Sequence, residues 1–536
     1  MEPSNPLLET PPKFSEVAPR HLEPAAQKTI ETLGKQQTEL EERLQTNPVS
    51  PTELLEEVSS IQSQLRFMKN IFRTLELSNA TESSWVSAAK GAQRKLRFDK
   101  IGTSGPIYQA AVAAYGNASL EERRRLELLL RECMQHGTHL TAEQKDTYQQ
   151  IQDTLVSVNS KLESFASQNS TSKRDQLESV HQIKALQTYK AKALGFGDMV
   201  SAQLPHTCRM SSTELRELYQ QIGHAGSSIL EEVKPDDWDL AAPSDQEVMP
   251  YLSLNGLMLA LEELTRVFLG VLVHEDTSAS KWHTDVRVLT VTDEASGDYI
   301  GSIYMDPFFR PTKSELVESG PLLPDSQFIM CQTIPPIWED QATDMKYTDA
   351  LEVASRYGRA LQGLLAQHRD GLCGTEHTPA MFQDLLSQFY SGVLQDRTFL
   401  QLVAQLSGSP VQIPKHMMDR LMYMTHAMSI DRILKKCLKA EVELDLFQPL
   451  QEDESLVAMQ RRLIQTYTEH DPTHRDDLTV LLEVAQKNAG LNPICHHTPL
   501  LTEVVAADIT AELGDVGNQE RLNEMGRKLR THILEP

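Results

Sequence analysis

The chemistry this chain could do turns first on two arginines, Arg356 and Arg359, within Ser355-Arg356-Tyr357-Gly358-Arg359. Residues three apart share a helix face, so these two guanidiniums place two positive charges side by side. A guanidinium carries only donors and stays protonated, so it neither ligates a cation nor accepts a proton. Other clusters offer metal-binding residue types. His470-Asp471-Pro472-Thr473-His474 has two His at i and i+4, but Pro472 breaks the helix that would aim both imidazoles at one ion. His274-Glu275 lacks a second His four residues on. Cys373 and His377, with His368 close by, and Cys495-His496-His497 read as ordinary loop residues rather than metal sites. No nucleophile elbow and no glycine-rich phosphate loop is present.

The elements that must position these residues are mostly helices. Apolar residues recur at helical spacing over 24–45, 53–77, 120–134, 142–165 and 175–193, and again from Asp349 onward, which predicts packed amphipathic helices. Asn169 to Lys173 is a polar break. Strand-like text is confined to three segments, Asp285–Asp293, Tyr299–Met305 and Ser326–Thr333, with a tight turn at 295–298, so a small sheet is expected between about 285 and 333. Gly320 to Pro324, Thr333 to Pro336 and Arg369 to Gly374 read as connectors.

Composition narrows the class. The chain has 536 residues, 40% hydrophobic and 24% charged, as in an ordinary soluble globular protein. Aromatics make up only 6%, so the core must draw on Leu, Ala, Val and Met. A net charge of -24 disfavours nucleic-acid binding and favours a basic partner. The six cysteines are scattered without a C-x-x-C pair, which argues against a disulfide scaffold and for a reducing compartment. The opening residues have no basic, apolar leader and no Arg before Arg20, and no run is long enough to span a membrane. A cytoplasmic protein is expected, with a mitochondrial or other organelle matrix as the alternative.

Several segments together carry a family likeness. The frame Glu352 to Leu365 resembles the zinc helix of the thimet oligopeptidase and oligopeptidase A family, an apolar lead-in followed by H-E-F-G-H and G-L-H-H-M-L; Tyr357, Gly358 and Leu361 keep its aromatic, glycine and leucine. Pro12-Lys13-Phe14-Ser15-Glu16-Val17-Ala18-Pro19 resembles the family's opening. Leu194-Gly195-Phe196 resembles its L-G-F, Trp282-His283-Thr284-Asp285-Val286-Arg287 its W-H-P-D-V-R, and Gly301 to Arg310 its G-S-F-Y-L-D-L-Y-x-R. The order and spacing match over nearly the whole chain, except for a stretch the family carries after about Gln168.

The resemblance implies a mainly α, two-lobed, zincin-like oligopeptidase fold, with a small sheet beside a central channel and a degenerate zinc helix over about 349–366. An N-terminal helical region, 1–200, and a peptidase-like region, 201–536, are expected to form one continuous body. It also places the family's site, residue by residue. Ser355 and Arg359 stand at the two His positions and Arg356 at the Glu that would serve as base. In the downstream frame E-x-P-S-Q-F-x-E, Pro379 and Phe382 keep the register, so His377 takes the third-ligand position and Asp384 the later carboxylate; a one-residue shift to Glu376 would break the Pro match. The tyrosines of the family's oxyanion loop fall on Asn492, His496, His497 and Pro499. Losing one oxyanion donor alone costs on the order of a hundredfold or more in rate, and losing the metal removes the activated water.

The expectation from these substitutions is a chain with no catalytic residues, no metal and no cofactor, hence not an enzyme. It would act as a scaffold subunit with protein partners; alternatives are a non-cleaving peptide binder holding short peptides and an active oligopeptidase with an unusual metal site. An Arg–Asp pair involving Asp384 is expected to tie two helices in place of the metal.

Overall fold

The computed structural model describes the chain except for residues 1–4, 10–11, 48, 80, 97–100, 168–171, 233–242, 309, 314–317, 324–326, 335–343, 367–379, 410, 450–453, 469–477, 491–492, 515 and 535–536. The first half is helical. α1 (Leu22–Thr46), α2 (Pro51–Ser78), α3 (Ser83–Lys95), α4 (Gly105–Tyr115) and α5 (Leu120–Gln135) precede α6 (Ala142–Ser167), α7 (Lys173–Ala193), α8 (Met199–Thr207), α9 (Ser212–Glu232) and α10 (Leu254–Leu269). The starts are written locally. Ser50 accepts from Glu53 N with Pro51 in the first turn of α2, and Ser119 and Glu122 form a reciprocal capping box on α5. Gly270, at φ 64°, closes α10 in the left-handed conformation.

A five-stranded sheet follows, with β1 (Val271–Glu275), β2 (Arg287–Asp293), β3 (Tyr299–Phe308), β4 (Glu318–Leu323) and β5 (Gln327–Ile334) in the order β1-β2-β3-β5-β4. Only the β3–β5 pair is parallel. The three expected strands are all present. Two were missed, and the stretch read as a connector at Gly320 to Pro324 is instead largely edge strand β4. Its Gly and Pro are turn residues by composition, but Pro lacks only an N–H, and an edge strand tolerates that loss. The chain then returns to helix: α11 (Tyr347–Leu365), α12 (Leu385–Val393), α13 (Arg397–Leu406), α14 (Lys415–Phe447), α15 (Leu456–Thr468), α16 (Thr479–Lys487), α17 (His497–Leu513) and α18 (Gln519–Leu529). The architecture is mainly α with one small sheet, as expected.

Three apolar cores organise these elements. One joins α1–α5 to Val286, Val288 and Tyr304 of the sheet region. A second joins α6–α9 to the C-terminal half of α14 and to α15–α17. The third packs α10, the sheet, α11–α13 and α18 around Tyr357, Phe389 and Tyr390. α14 runs from the third core into the second, with Met417 to Met422 in one and Leu434 to Phe447 in the other.

The family-like segments outside the zinc-helix frame are joints of this body. Trp282 Nε1 donates to Asp306 Oδ2 at 3.1 Å, so the W-H-T-D-V-R and G-S-I-Y-M-D segments meet at one carboxylate. Arg310 grips the same carboxylate with both terminal nitrogens, at 2.7 and 2.9 Å, and Lys313 Nζ reaches it at 3.2 Å. Trp282 stacks on Tyr304, and Phe14 of the opening segment meets it edge-on. Arg287 holds Glu275 across the β1–β2 pair. Gly195, at φ 88°, lets Phe196 N turn back onto Ala191 O and end α7.

Candidate functional site on helix α11

Helix α11 is amphipathic because its apolar residues fall on one face: Val353, Ala354, Tyr357, Ala360, Leu361 and Leu364 are buried. Tyr357 points into the core. Its hydroxyl lies 3.0 Å from Thr265 Oγ1, which also lies 2.9 Å from Tyr390 OH and donates to Leu261 O. Burial raises the pKa of both tyrosines well above the usual range, so they stay neutral hydrogen-bond partners.

The adjoining face meets the start of α12. Ser355 Oγ is 2.8 Å from Ser387 Oγ. Gly358 lies against the Leu386 carbonyl, and a Cβ there would come within 2.3 Å of that oxygen, so only glycine allows this approach. Gln362 donates to Phe382 O and accepts from Leu386 N at 2.9 Å. Arg359 pairs with Asp384, the residue before α12, at 2.8 Å. Arg356 holds Glu352, one turn back on its own helix, at 2.6 and 2.7 Å. The expected arginine–aspartate pair is therefore formed by Arg359, while Arg356 takes a local partner that the i, i+4 spacing already offered.

The other predicted positions lie elsewhere. His377 and Asn492 fall outside the described residues, as do Cys373, His470 and His474. His496 and His497 are buried at the start of α17, and Pro499 is exposed in its first turn. His497 Nε2 is 2.7 Å from Thr207 Oγ1, whereas His497 Nδ1 and His496 Nε2 are buried without a hydrogen-bond partner. Burial, with Lys487 and Lys439 adding to it at His496, lowers the two pKa values to about 3 and about 4, so both imidazoles are neutral near neutral pH.

Sequence reasoning missed the group that shapes this loop. Glu443 on α14 is fully buried; it accepts from Cys495 N at 3.0 Å, His496 N at 2.9 Å and Asn488 Nδ2 at 2.8 Å. Asn488 Oδ1 in turn accepts from Ile494 N, where the backbone turns through φ 63°. Nothing in the sequence around Glu443 marks it out from the other acidic residues of α14. A second register was legible: Asp384-Leu385-Leu386-Ser387-Gln388-Phe389 keeps the S-Q-F of the E-x-P-S-Q-F-x-E frame and gives up its Pro.

The resemblance of α11 to a zinc helix implies zinc there, but the residues present do not fit it. Ser355, Arg356 and Arg359 supply one hydroxyl and two fixed cations, and Asp384 is already paired. Among the described residues no group of three or more His, Cys, Asp or Glu side chains is placed to hold a metal ion, and no helix is long and apolar enough to cross a membrane.

Comparison with known proteins adds what the geometry leaves open. Over 124 residues, 22% of this chain, the sequence is 36% identical to a mitochondrial intermediate peptidase of Coprinopsis cinerea and 32% identical to one of Laccaria bicolor. The match spans only 16% of the length of each of those curated relatives. The fold is similar to a solved oligoendopeptidase F (TM-score 0.56, 10% identity, 95% of this chain and 91% of that one). It is also similar to metallocarboxypeptidase 1 of Trypanosoma cruzi (TM-score 0.54, 15% identity, 90% and 93%). The model of peptidase family M3 matches residues 131–536, well over half of the chain.

These matches overturn the expectation that the chain is not an enzyme, because they point to a metallopeptidase. That expectation weighed a few substituted positions against a likeness that extends along most of the sequence, and a local donor set does not by itself fix what a whole fold does. On the match over residues 131–536, this chain belongs to peptidase family M3.

Proposed function

We propose that the protein acts on oligopeptides as a peptidase of family M3. The family match over residues 131–536 carries the reading, and the oligoendopeptidase-like fold supports it. The names of the curated relatives favour the mitochondrion over the cytoplasm as the place of action. No hydrolytic step is drawn through a metal on α11, because Ser355, Arg356 and Arg359 do not fit one. The residues of this region position backbone instead: Gln362 and Gly358 fix α12 against α11, and Glu443 fixes the loop that leads into α17.

The test is a quenched-fluorescence peptide library offered to the purified chain with and without added Zn²⁺, read beside peptide-induced shifts in melting temperature. Cleavage that a heat-denatured sample lacks supports the reading. A thermal shift without cleavage would reduce it to peptide capture, and neither signal across the library would overturn it. A second reading, a structural subunit of a larger assembly, draws on the net charge of -24, which suits a basic partner. A native pull-down that recovers one basic protein in stoichiometric amount would favour it.

A further inference from the structure

The poor fit of α11 to zinc leaves the question of what fills that place. We propose that the Arg359–Asp384 ion pair occupies the position a metal ion would take between α11 and α12, with Asp384 standing where the third ligand would be. The proposal rests on membership of family M3 and not on peptide turnover, so the cleavage assay and the metal measurements below fail independently.

Four observations carry it. Positions 355, 358, 359 and 362 follow the i, i+3, i+4, i+7 pattern of a single helix face, and each of them meets the segment from Phe382 to Ser387: a serine pair, a glycine against a carbonyl, an ion pair and a two-ended amide clamp. The face that would have aimed two imidazoles at a metal is thus closed against its neighbour. Second, the charge is fixed. A guanidinium 2.8 Å from Asp384 Oδ2 offsets the carboxylate's charge, and a dication brought to that oxygen must displace Arg359. Third, Arg359 is only partly exposed: its Nε is buried and without a hydrogen-bond partner, so that edge of the guanidinium is withdrawn from water. Fourth, the register that keeps Ser387-Gln388-Phe389 as S-Q-F puts Asp384 at the first acidic position of the frame. The side chain that this register names as ligand is the one that Arg359 holds.

The test rebuilds the site. Ser355→His, Arg356→Glu and Arg359→His together restore two imidazoles at i and i+4 with a Glu between them. This triple variant is expected to bind one Zn²⁺ per chain, measured by competition with a chromogenic chelator and by the visible spectrum of the Co²⁺ form. Adding Asp384→Ala should weaken zinc by about tenfold or more, since even groups that only support a ligand are worth that much; adding His377→Ala should leave affinity unchanged. The native chain is expected to carry no stoichiometric transition metal after dialysis, with the same melting temperature in chelator and in Zn²⁺. A native chain that retains zinc and releases it on Asp384→Ala would overturn the proposal. So would a folded triple variant that binds no zinc, or one whose zinc depends on His377 and not on Asp384. If the triple variant does not fold, the metal content of the native chain decides.

Discussion

Asp306 and Glu443 are both wholly buried carboxylates, and their surroundings push their protons in opposite directions. Burial alone would raise both pKa values, since low dielectric penalises charge. At Asp306 the paired hydrogen bonds of Arg310, the charge of Lys313 and the Trp282 N–H outweigh burial and hold the carboxyl below its ordinary range. At Glu443 the partners are neutral, two backbone N–H groups and the Asn488 amide, and burial wins, raising it to about 7. Both groups act as joints. Charge-paired Asp306 fastens the sheet to the N-terminal core; amide-held Glu443 fastens one turn of backbone. A buried acid keeps its charge through buried cations, and three neutral donors do not replace them.

The strongest test of this contrast is Asp306→Asn. It leaves Arg310 and Lys313 buried beside a neutral amide, and breaking a buried pair from one side costs about 3–5 kcal/mol. Urea unfolding at pH 7 should show a loss of that size; a loss below about 1 kcal/mol would mean that the two cations find water or other acceptors. The pH dependence has a definite sign. A depressed carboxyl contributes stability above its ordinary pKa and loses it as pH falls through the folded value, so Asp306 should make the native chain acid-labile below about pH 4.

Glu443→Gln probes the other side with a smaller effect. The amide keeps one acceptor but turns an N–H₂ toward a donor, at about 1–3 kcal/mol. Here the sign reverses. With its pKa raised from 4.5 to about 7, Glu443 contributes stability that is fully present below about pH 4.5 and lost as pH rises through about 7. The deficit of the Gln variant should therefore shrink between pH 5 and pH 8. A deficit that grows instead would show that the native loop prefers the anion and that its three donors outweigh burial.

The same contrast explains how much was readable in advance. The partners of Asp306 lie within 24 residues of it, and two of them, Trp282 and Arg310, fall inside segments whose family likeness is plain, so the node could be anticipated as a joint. The partners of Glu443 lie 45 to 53 residues away, toward a loop that the resemblance marked for its own side chains and not for a buried acid, and an acid on a helix reads as a solvated face until the fold is known. Helix α11 fell between these cases. Its helical character followed from periodicity, whereas the pairing of an arginine with Asp384 followed from the family resemblance. Which of the two arginines would meet Asp384 depended on which side of α11 faces α12, and spacing alone does not settle that. Strands β1 and β4 were missed for a related reason: five and six residues are too few for alternation to register, and β4 carries a Gly-Pro pair.

Gly358→Ala asks whether the α11–α12 seam is held by shape. The new methyl would sit 2.3 Å from the Leu386 carbonyl oxygen, which is backbone and cannot rotate away, so the helices must part. Forcing a methyl into a packed seam costs about 1–3 kcal/mol, and the melt should show it whether or not salt is present. An unchanged melting temperature would mean that α12 slides freely over α11 and that the Gln362 clamp does not fix its position.

Arg359→Ala should cost least and differ in kind. Its side chain is 35% exposed and that of Asp384 42%, so water screens the pair, and exposed ion pairs contribute about 0.2–1 kcal/mol. The comparison with Gly358→Ala separates holding the helices together from filling the space between them. If packing holds the seam, removing Arg359 barely moves the melt, and the small loss fades as salt is raised because its source is a screened charge. Asp384, freed of its partner, is then open to an added cation. A loss of several kcal/mol that persists in high salt would reverse the assignment and make the ion pair itself the tie, with the glycine contact and the Gln362 clamp dependent on it.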